Sequence, residues 1–247
     1  MKKNNFSIIW DWNGTIVDDA PVFIKIMNSF LIKRGLPLIS LKDYRHSFVF
    51  PVKNYYKNLG FDFSKESFNG LSLEFIDKYK KAMFLPPLVK NIKTLLTEIN
   101  KKQIKQVVVS AQENSLLKKA VSHYSLNPFF CYTQGINNYQ ATSKINIAKT
   151  VFKKHLSQSQ KTILIGDTEH DAEVARALNI DCCLVSYGHC TKEKLQKTYS
   201  NRGINLVCIS KKWSFRTSKN LSKLMSQQKS VEKKLSQAAI ETLAIIA

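Results

Sequence analysis

The chain has 247 residues, 44% of them apolar and 23% charged, so it carries enough nonpolar side chain for a substantial core and does not read as disordered. Thirty-eight Lys and Arg against eighteen Asp and Glu give a formal net charge of +20, which suits anionic partners (nucleic acid, anionic lipid, phosphorylated metabolites) and equally a Lys-rich solvated surface. Five cysteines without a CxxC pair argue against a zinc site, no apolar stretch reaches the ~18 residues of a membrane span, and the apolar run after Met1-Lys2-Lys3 is cut by Asp11, so a reduced, soluble, cytoplasmic protein without a leader is expected.

In chain order, Phe6 to Trp10 reads as a short, continuously apolar strand. From about Asp18 to Pro87 the pattern is helical: Val22, Ile26, Phe30 and Ile32 open a helix that stops near Gly35-Leu36-Pro37, and Tyr55–Leu59 and Leu71–Met83 follow. Further apolar strands are expected at Gln106–Val109, Thr162–Ile165, Cys182–Val185 and Leu206–Ile209, with helices at Leu88–Lys101, Ser115–His123, Ser143–His155 and Asp171–Leu178. Continuous rather than alternating apolarity marks strands buried on both faces, and Cys182, Cys183 and Cys208 in these runs are expected in the core. The fold class is therefore α/β: a doubly wound, Rossmann-like parallel sheet over residues 1–17 and 88–210, with a small all-helical cap at 18–87 inserted after the first strand. Residues 211–247 stand apart. Lys211 to Ser230 carries no acid, and Leu221, Leu224, Met225, Val231, Leu235 and Leu243 recur at near-helical spacing. Two readings stay open for this segment: a terminal helix packed on the sheet, or a basic helix that touches nucleic acid, anionic membrane or a partner.

Four segments carry chemistry. Ile8-Ile9-Trp10-Asp11-Trp12-Asn13-Gly14-Thr15 sets a carboxylate directly after a buried strand, where ligands of open α/β sheets bind, and a Gly-Thr turn whose N–H groups can cradle phosphate. Val107-Val108-Val109-Ser110-Ala111 ends a second strand on a hydroxyl, and Lys144 opens a helix where its ammonium reaches an anion. Ile163-Leu164-Ile165-Gly166-Asp167 ends a third strand, with Asp171 four residues further on the same side of the turn. Such paired oxygen ligands suit Mg²⁺.

In order, spacing and strand context these segments resemble the four motifs of the haloacid dehalogenase (HAD) superfamily, in particular the phosphoglycolate phosphatase-like members with a helical cap. The resemblance covers about residues 6 to 210 and leaves the basic tail outside. It implies that Asp11 attacks phosphorus and forms an aspartyl-phosphate. Mg²⁺ would be held by Asp11, Asp167 and the main-chain carbonyl of Asn13, with Asp171 a ligand or directly behind one. Ser110 and Lys144 would bind the phosphoryl oxygens, Thr15 would support them, and Gly14 and Ala111 would line the phosphate site. The implied activity is a Mg²⁺-dependent phosphohydrolase of a small phosphorylated metabolite, acting as a monomer or weak dimer.

The chain departs from the pattern at one position. Family phosphatases carry an aspartate two residues after the nucleophile, and here that residue is Asn13. An amide cannot protonate a leaving group, and general acid–base help is worth ~10²- to 10⁴-fold. Asp18, Asp19, His46 and His170 are candidate replacements. The alternatives are a substrate with a good leaving group, or a weakened protein with a phosphotransfer, regulatory or nucleic-acid- or membrane-binding role. Arg45, His46, Lys53, Tyr55 and Tyr56 are candidates for contacting the substrate from the cap.

Overall fold

A computed structural model of the chain describes residues 6–138, 143–199, 204–209 and 212–217. Five strands, β1 (Phe6–Trp10), β2 (Lys105–Glu113), β3 (Tyr132–Ile136), β4 (Lys161–Gly166) and β5 (Asp181–Leu184), form one parallel sheet in the order β3-β2-β1-β4-β5. β1 is central: four of its five residues are buried, and the one polar side chain, Ser7, shares a 2.7 Å hydrogen bond with the Thr162 hydroxyl of β4. Ile9, Val107, Val109 and Leu164 pack on Ala148 and Val151 of α7 (Ile145–Val151) and on Val174 and Ala175 of α8 (Glu169–Leu178). Alternate positions face the other way. There Trp10 Nε1 donates to Gln106 Oε1 at 2.9 Å, and Gln106 Nε2 donates to the Leu96 carbonyl of α5 (Ile92–Lys101) at 3.3 Å, so the polar atoms on this face are satisfied. After β2 comes α6 (Asn114–His123), which packs against β2 and β3. The order reverses direction at β1, and the crevice between the ends of β1 and β4 is the place where such sheets bind ligands.

Between β1 and α5 the chain is helical: α1 (Ala20–Lys33), α2 (Leu41–Ser47), α3 (Val52–Asn58) and α4 (Phe68–Ala82). α1 starts with Pro21 in its first turn and packs on α4, and Arg34 grips Glu66 through Nε and Nη2 at 2.7 and 2.5 Å. α2 begins at a Ser40/Asp43 capping box that the expected helices did not include. The insert leaves and returns along neighbouring segments. Asp18 N–H donates to the Pro87 carbonyl at 3.0 Å and Val89 N–H to the Ile16 carbonyl at 3.0 Å.

Three expectations need correction. Leu206–Ile209 is extended, as part of β6 (Ile204–Ile209), but it pairs antiparallel with β7 (Lys212–Thr217) in a separate two-stranded sheet and is no strand of the parallel sheet. The chain divides there into two compact units, residues 1–192 and 193–247, and Lys212–Thr217 is a strand where a helical or tail segment was expected. Cys182 and Cys183 are only partly buried, because β5 is an edge strand. β3, also an edge strand, escaped the apolar-run criterion because Tyr-Thr-Gln-Gly-Ile is only partly buried. Leu221 through Leu243, on which the amphipathic helix rested, lie outside the described residues. No helix among the described residues is long and apolar enough to cross a membrane.

The sheet's stability rests on side chains such as Leu164, which is 1% exposed. Leu164→Ala is expected to cost ~2–5 kcal/mol in the urea unfolding free energy. Ile32→Ala, at a position 65% exposed, is expected to stay within ~0.5 kcal/mol by the same measurement.

Candidate active site

The backbone of Asp11 continues the β1 ladder by donating its N–H to the Ile165 carbonyl at 2.8 Å, so its carboxylate projects from a fixed point at the sheet's carboxyl end. The chain then turns tightly, with the N–H of Ile16 on the Trp12 carbonyl at 2.9 Å and that of Gly14 on the Val17 carbonyl at 2.9 Å. Gly14 has φ +70°, and a Cβ there would collide with the Asp167 carboxylate and the His189 ring. The glycine is what lets the turn close over its neighbours.

β2 and β4 deliver the other groups. The β2–β3 register shifts between Val109 and Glu113, which releases Ser110, Ala111 and Gln112 toward the crevice, a common use of an irregular strand beside a site. β4 ends at Gly166, and wholly buried Asp167 follows. Thr168 then caps α8 in a box with Asp171, whose Oδ2 accepts from the N–H groups of Asp167 and Thr168 and from the Thr168 hydroxyl at 3.2, 3.0 and 2.6 Å. Asp171 Oδ1 pairs with Lys144 Nζ at 2.6 Å, and Lys144 Nζ also donates to Asp11 Oδ1. Both Asp171 oxygens are thus engaged, and one 3%-exposed ammonium bridges two buried carboxylates.

Carboxylate oxygens of Asp11, Asp167 and Asp171 all lie within 4.8 Å of one another. Burial is the main cause that raises Asp11 to about 6, against the pull of Lys144 and with repulsion from Asp171 adding to it. Burial likewise raises Asp167 to about 8, offset by His189 and reinforced by Asp11 and Asp171. Burial also opposes charge on Asp171 and Lys144, but their mutual attraction, with the Thr168 bonds, outweighs it: the acid falls below its ordinary value and the ammonium rises above its own. Lys144 therefore serves Asp11 and Asp171, while Asp167 lacks a cation of that strength. Hard oxygens crowded beyond what the local positive charge offsets are what a divalent cation requires.

Asn13, two residues after Asp11, is held from the cap side. Its Nδ2 donates to Asp19 Oδ2 at 2.5 Å and lies 3.0 Å from the Tyr79 hydroxyl, which itself donates to Asp19 Oδ2 at 3.2 Å. Its Oδ1 accepts from Ser110 at 3.4 Å. Asp19, fully buried, also accepts from Gly14 N–H at 2.9 Å and bonds His189 Nε2 at 3.1 Å, while His189 Nδ1 shares a 2.7 Å bond with Tyr44. Burial disfavours charge on His189, but the Asp19 bond and charge and the Asp167 charge raise the ring to about 9. His189 N–H donates to Asp167 Oδ2 at 2.5 Å.

Asp11, Asn13, Thr15, Ser110, Ala111, Lys144, Asp167 and Asp171 thus converge, with Gly14 at their side; Thr15 Oγ1 lies 3.4 Å from both Asp11 Oδ2 and Asp167 Oδ1. A cavity of about 130 Å³ opens over them, walled on its far side by the cap. Among the other candidates, Asp19, His170, Tyr55 and Tyr56 belong to the neighbourhood; Asp19 bonds the turn, and the other three line the cavity. His46 is exposed, Asp18 faces Arg45 at 4.0 Å, Arg45 Nη2 bonds the Tyr187 carbonyl, and Lys53 lies over the Phe63 and Phe68 rings, so none of these four lines it. Tyr79, Gln112 and the site role of His189 had no local signal: each is a lone side chain brought in by tertiary packing.

The haloacid dehalogenase-like hydrolase family profile matches residues 8–185. A second profile, segregation and condensation complex subunit ScpB, matches residues 171–247; it covers less than half of the chain and overlaps the first across α8 and β5. A phosphoglycolate phosphatase of Rhodobacter capsulatus is 22% identical over 188 residues, 74% of this chain and 85% of that protein. Among solved structures, a haloacid dehalogenase-like hydrolase of Streptococcus pneumoniae superposes with a TM-score of 0.67 at 20% identity, over 80% of this chain and 91% of the other. Protein tyrosine kinase A of Mycobacterium tuberculosis gives 0.65 at 19% identity, over 78% and 88%. At such identities the solved structures speak for the fold alone. The profile spans the Asp11 turn, Ser110 of β2, Lys144 and the Asp167/Asp171 pair in one continuous match, and the chain belongs to the haloacid dehalogenase-like hydrolase family.

Proposed function

We propose that the protein is a Mg²⁺-dependent phosphohydrolase of a small phosphorylated metabolite, acting through an aspartyl-phosphate on Asp11. The observation that carries this reading is the convergence of Asp11 and Asp167, at adjoining strand ends, with Lys144, at the start of α7, beneath one cavity. Family membership and the phosphoglycolate phosphatase relative support it.

Asp11, Asp167 and the Asn13 main-chain carbonyl would hold the cation, with Asp171 orienting Lys144. Bound there, Mg²⁺ supplies charge neutralisation, so that a phosphate dianion is tolerated beside carboxylates. Asp11 Oδ then forms the bond to phosphorus as the ester P–O bond breaks, and the leaving oxygen keeps the electron pair. Lys144 and Ser110 hydrogen-bond the equatorial oxygens, where charge accumulates in the transition state. Water attacks the aspartyl-phosphate in the second half, returning Asp11 and releasing inorganic phosphate. Asn13 can orient that water through Oδ1 but takes no proton from it.

With Mg²⁺ present, the protein is expected to release inorganic phosphate from acetyl phosphate. Asp11→Asn should abolish that release, and Lys144→Met should lower kcat by ~10²- to 10³-fold. Equal phosphate release by wild type and Asp11→Asn would remove Asp11 as nucleophile.

The raised acids give a second, non-catalytic test. Asp11 and Asp167 bind a proton more tightly folded than unfolded, so their contribution to stability is full below about 4 and is lost as pH rises through about 6 and then about 8. The melting temperature in EDTA should therefore fall between pH 6 and pH 8. Mg²⁺ binds the deprotonated acids, so its stabilising shift should be larger at pH 8. An equal shift at both pH values would mean that these two carboxylates are not the ligands.

A further inference from the structure

The cavity above Asp11 has a composition that phosphoglycolate does not explain. Its cap side is formed by Phe23, Phe75, Ile76, Tyr79, Phe48 and Phe50, and the three rings nearest the turn contact one another, with Phe23 5.2 Å from both Phe75 and Tyr79. Among the described lining residues Lys144 is the one Lys or Arg, and it is the phosphoryl-binding group of the proposed reaction. Both lining histidines have their ring nitrogens occupied, His189 by Tyr44 and Asp19, His170 by the Lys144 N–H and Glu173. Beyond Lys144 and the His189 ring, whose nitrogens are taken by Tyr44 and Asp19, a second anionic group on the substrate, such as a carboxylate, would meet aromatic rings and the Glu113 carboxylate.

Two lining side chains carry unmatched polar atoms, the Tyr55 hydroxyl and the Gln112 amide. Gln112 is 9% exposed and lines the cavity, yet neither its side-chain nitrogen nor its oxygen has a hydrogen-bond partner. A buried amide left this way is costly, and a ligand polar atom would satisfy it. The volume, about 130 Å³, is close to that of an apolar cavity of about 150 Å³ that accepts benzene.

An independent constraint comes from Asn13. With an amide in place of an acid at that position, a leaving oxygen that can depart as an anion is favoured. A phenol of pKa about 10 leaves far more easily in this way than an aliphatic alcohol, whose pKa lies near that of water at about 16. The amide at position 13 and a mainly aromatic wall favour the same kind of ester.

We propose, building on the phosphohydrolase reading, that the substrate is a small aryl phosphomonoester: its uncharged ring sits among Phe23, Phe75 and Tyr79, and Gln112 bonds one polar substituent. In the first step the Asp11–phosphorus bond forms, the aryl O–P bond breaks, and the electron pair leaves on the aryl oxygen as a phenolate that takes its proton from water. Hydrolysis of the aspartyl-phosphate consumes one water and gives inorganic phosphate.

Binding is tested apart from leaving-group reactivity by the non-hydrolysable pair phenylphosphonate and phosphonoacetate, as competitive inhibitors of acetyl phosphate hydrolysis by the full-length Mg²⁺-loaded protein. Phenylphosphonate should have the lower Ki by at least about 10-fold, a ratio that burial of one ring readily supplies. Phe75→Ala should shrink that ratio severalfold and lower the kcat/KM of phenyl phosphate relative to acetyl phosphate. Equal Ki values, or a lower Ki for phosphonoacetate, would overturn the aryl assignment while leaving the phosphohydrolase reading intact. An unchanged ratio in an active Phe75→Ala protein would also overturn it. Failure of the wild type to hydrolyse acetyl phosphate in an Asp11-dependent way would sink the phosphohydrolase reading, and this inference with it.

Discussion

Three carboxylates share the dry end of one parallel sheet with a single ammonium, and that imbalance organises the site. At about 4 Å two unit charges of like sign repel by roughly 4 kcal/mol even at an effective dielectric of 20. Lys144 relieves Asp11 and Asp171 together. Asp167 is left to main-chain donors and His189, and its raised pKa expresses the shortfall. The structure tolerates the crowding because the sheet supplies rigid anchor points and because Gly14 and Gly188 let two backbone segments press against Asp167 where any side chain would collide. Carboxylate oxygens crowded in this way have the chemistry that a divalent cation would need.

The legible parts of this arrangement are those fixed by local chemistry. β1, β2 and β4 announced themselves as unbroken apolar runs because burial on both faces leaves no alternation, and each run ended in the residue that matters: Asp11, Ser110, Asp167. The edge strand β3 and helix α2 were less visible, since partial exposure dilutes the one and seven residues with little apolar periodicity hide the other. Leu206–Ile209 misled for the opposite reason: a short apolar run has the same appearance in a parallel sheet and in an antiparallel hairpin, and only pairing distinguishes them. The cap's aromatic wall and the contacts of Gln112 and His189 are tertiary facts. No periodicity encodes which rings of α1 and α4 meet above a strand end.

Asn13 shows how the two kinds of information combine. From sequence it is a lost carboxylate. In the fold, the space beside it is already occupied by one, since Asp19 lies within hydrogen-bond reach of its amide. A second acid at position 13 would confront Asp19 in a pocket closed by Tyr79, and the two could not both be ionised. The amide instead donates to Asp19 and keeps its oxygen toward Ser110. Asp19 would ordinarily cap α1 with its side chain, but it makes no such bond; its oxygens are committed to Asn13, Gly14, Tyr79 and His189.

That commitment joins the Asp11 turn to the cap at its root. Asp19 immediately precedes α1, Tyr79 comes from α4, and His189 from the segment after β5, so one carboxylate ties two cap helices to the Asp11 turn and, through the His189 N–H, to Asp167. Movement of α1 about the paired segments at Asp18–Pro87 and Ile16–Val89 would draw on this knot directly, because Asp19 lies next to the hinge. Any movement of the aromatic wall would therefore be coupled to the Asn13 amide through Asp19. An acid at position 13 would serve proton transfer at any cap position. An amide bonded to Asp19 instead links the geometry of the turn to the cap helices that Asp19 and Tyr79 belong to or adjoin.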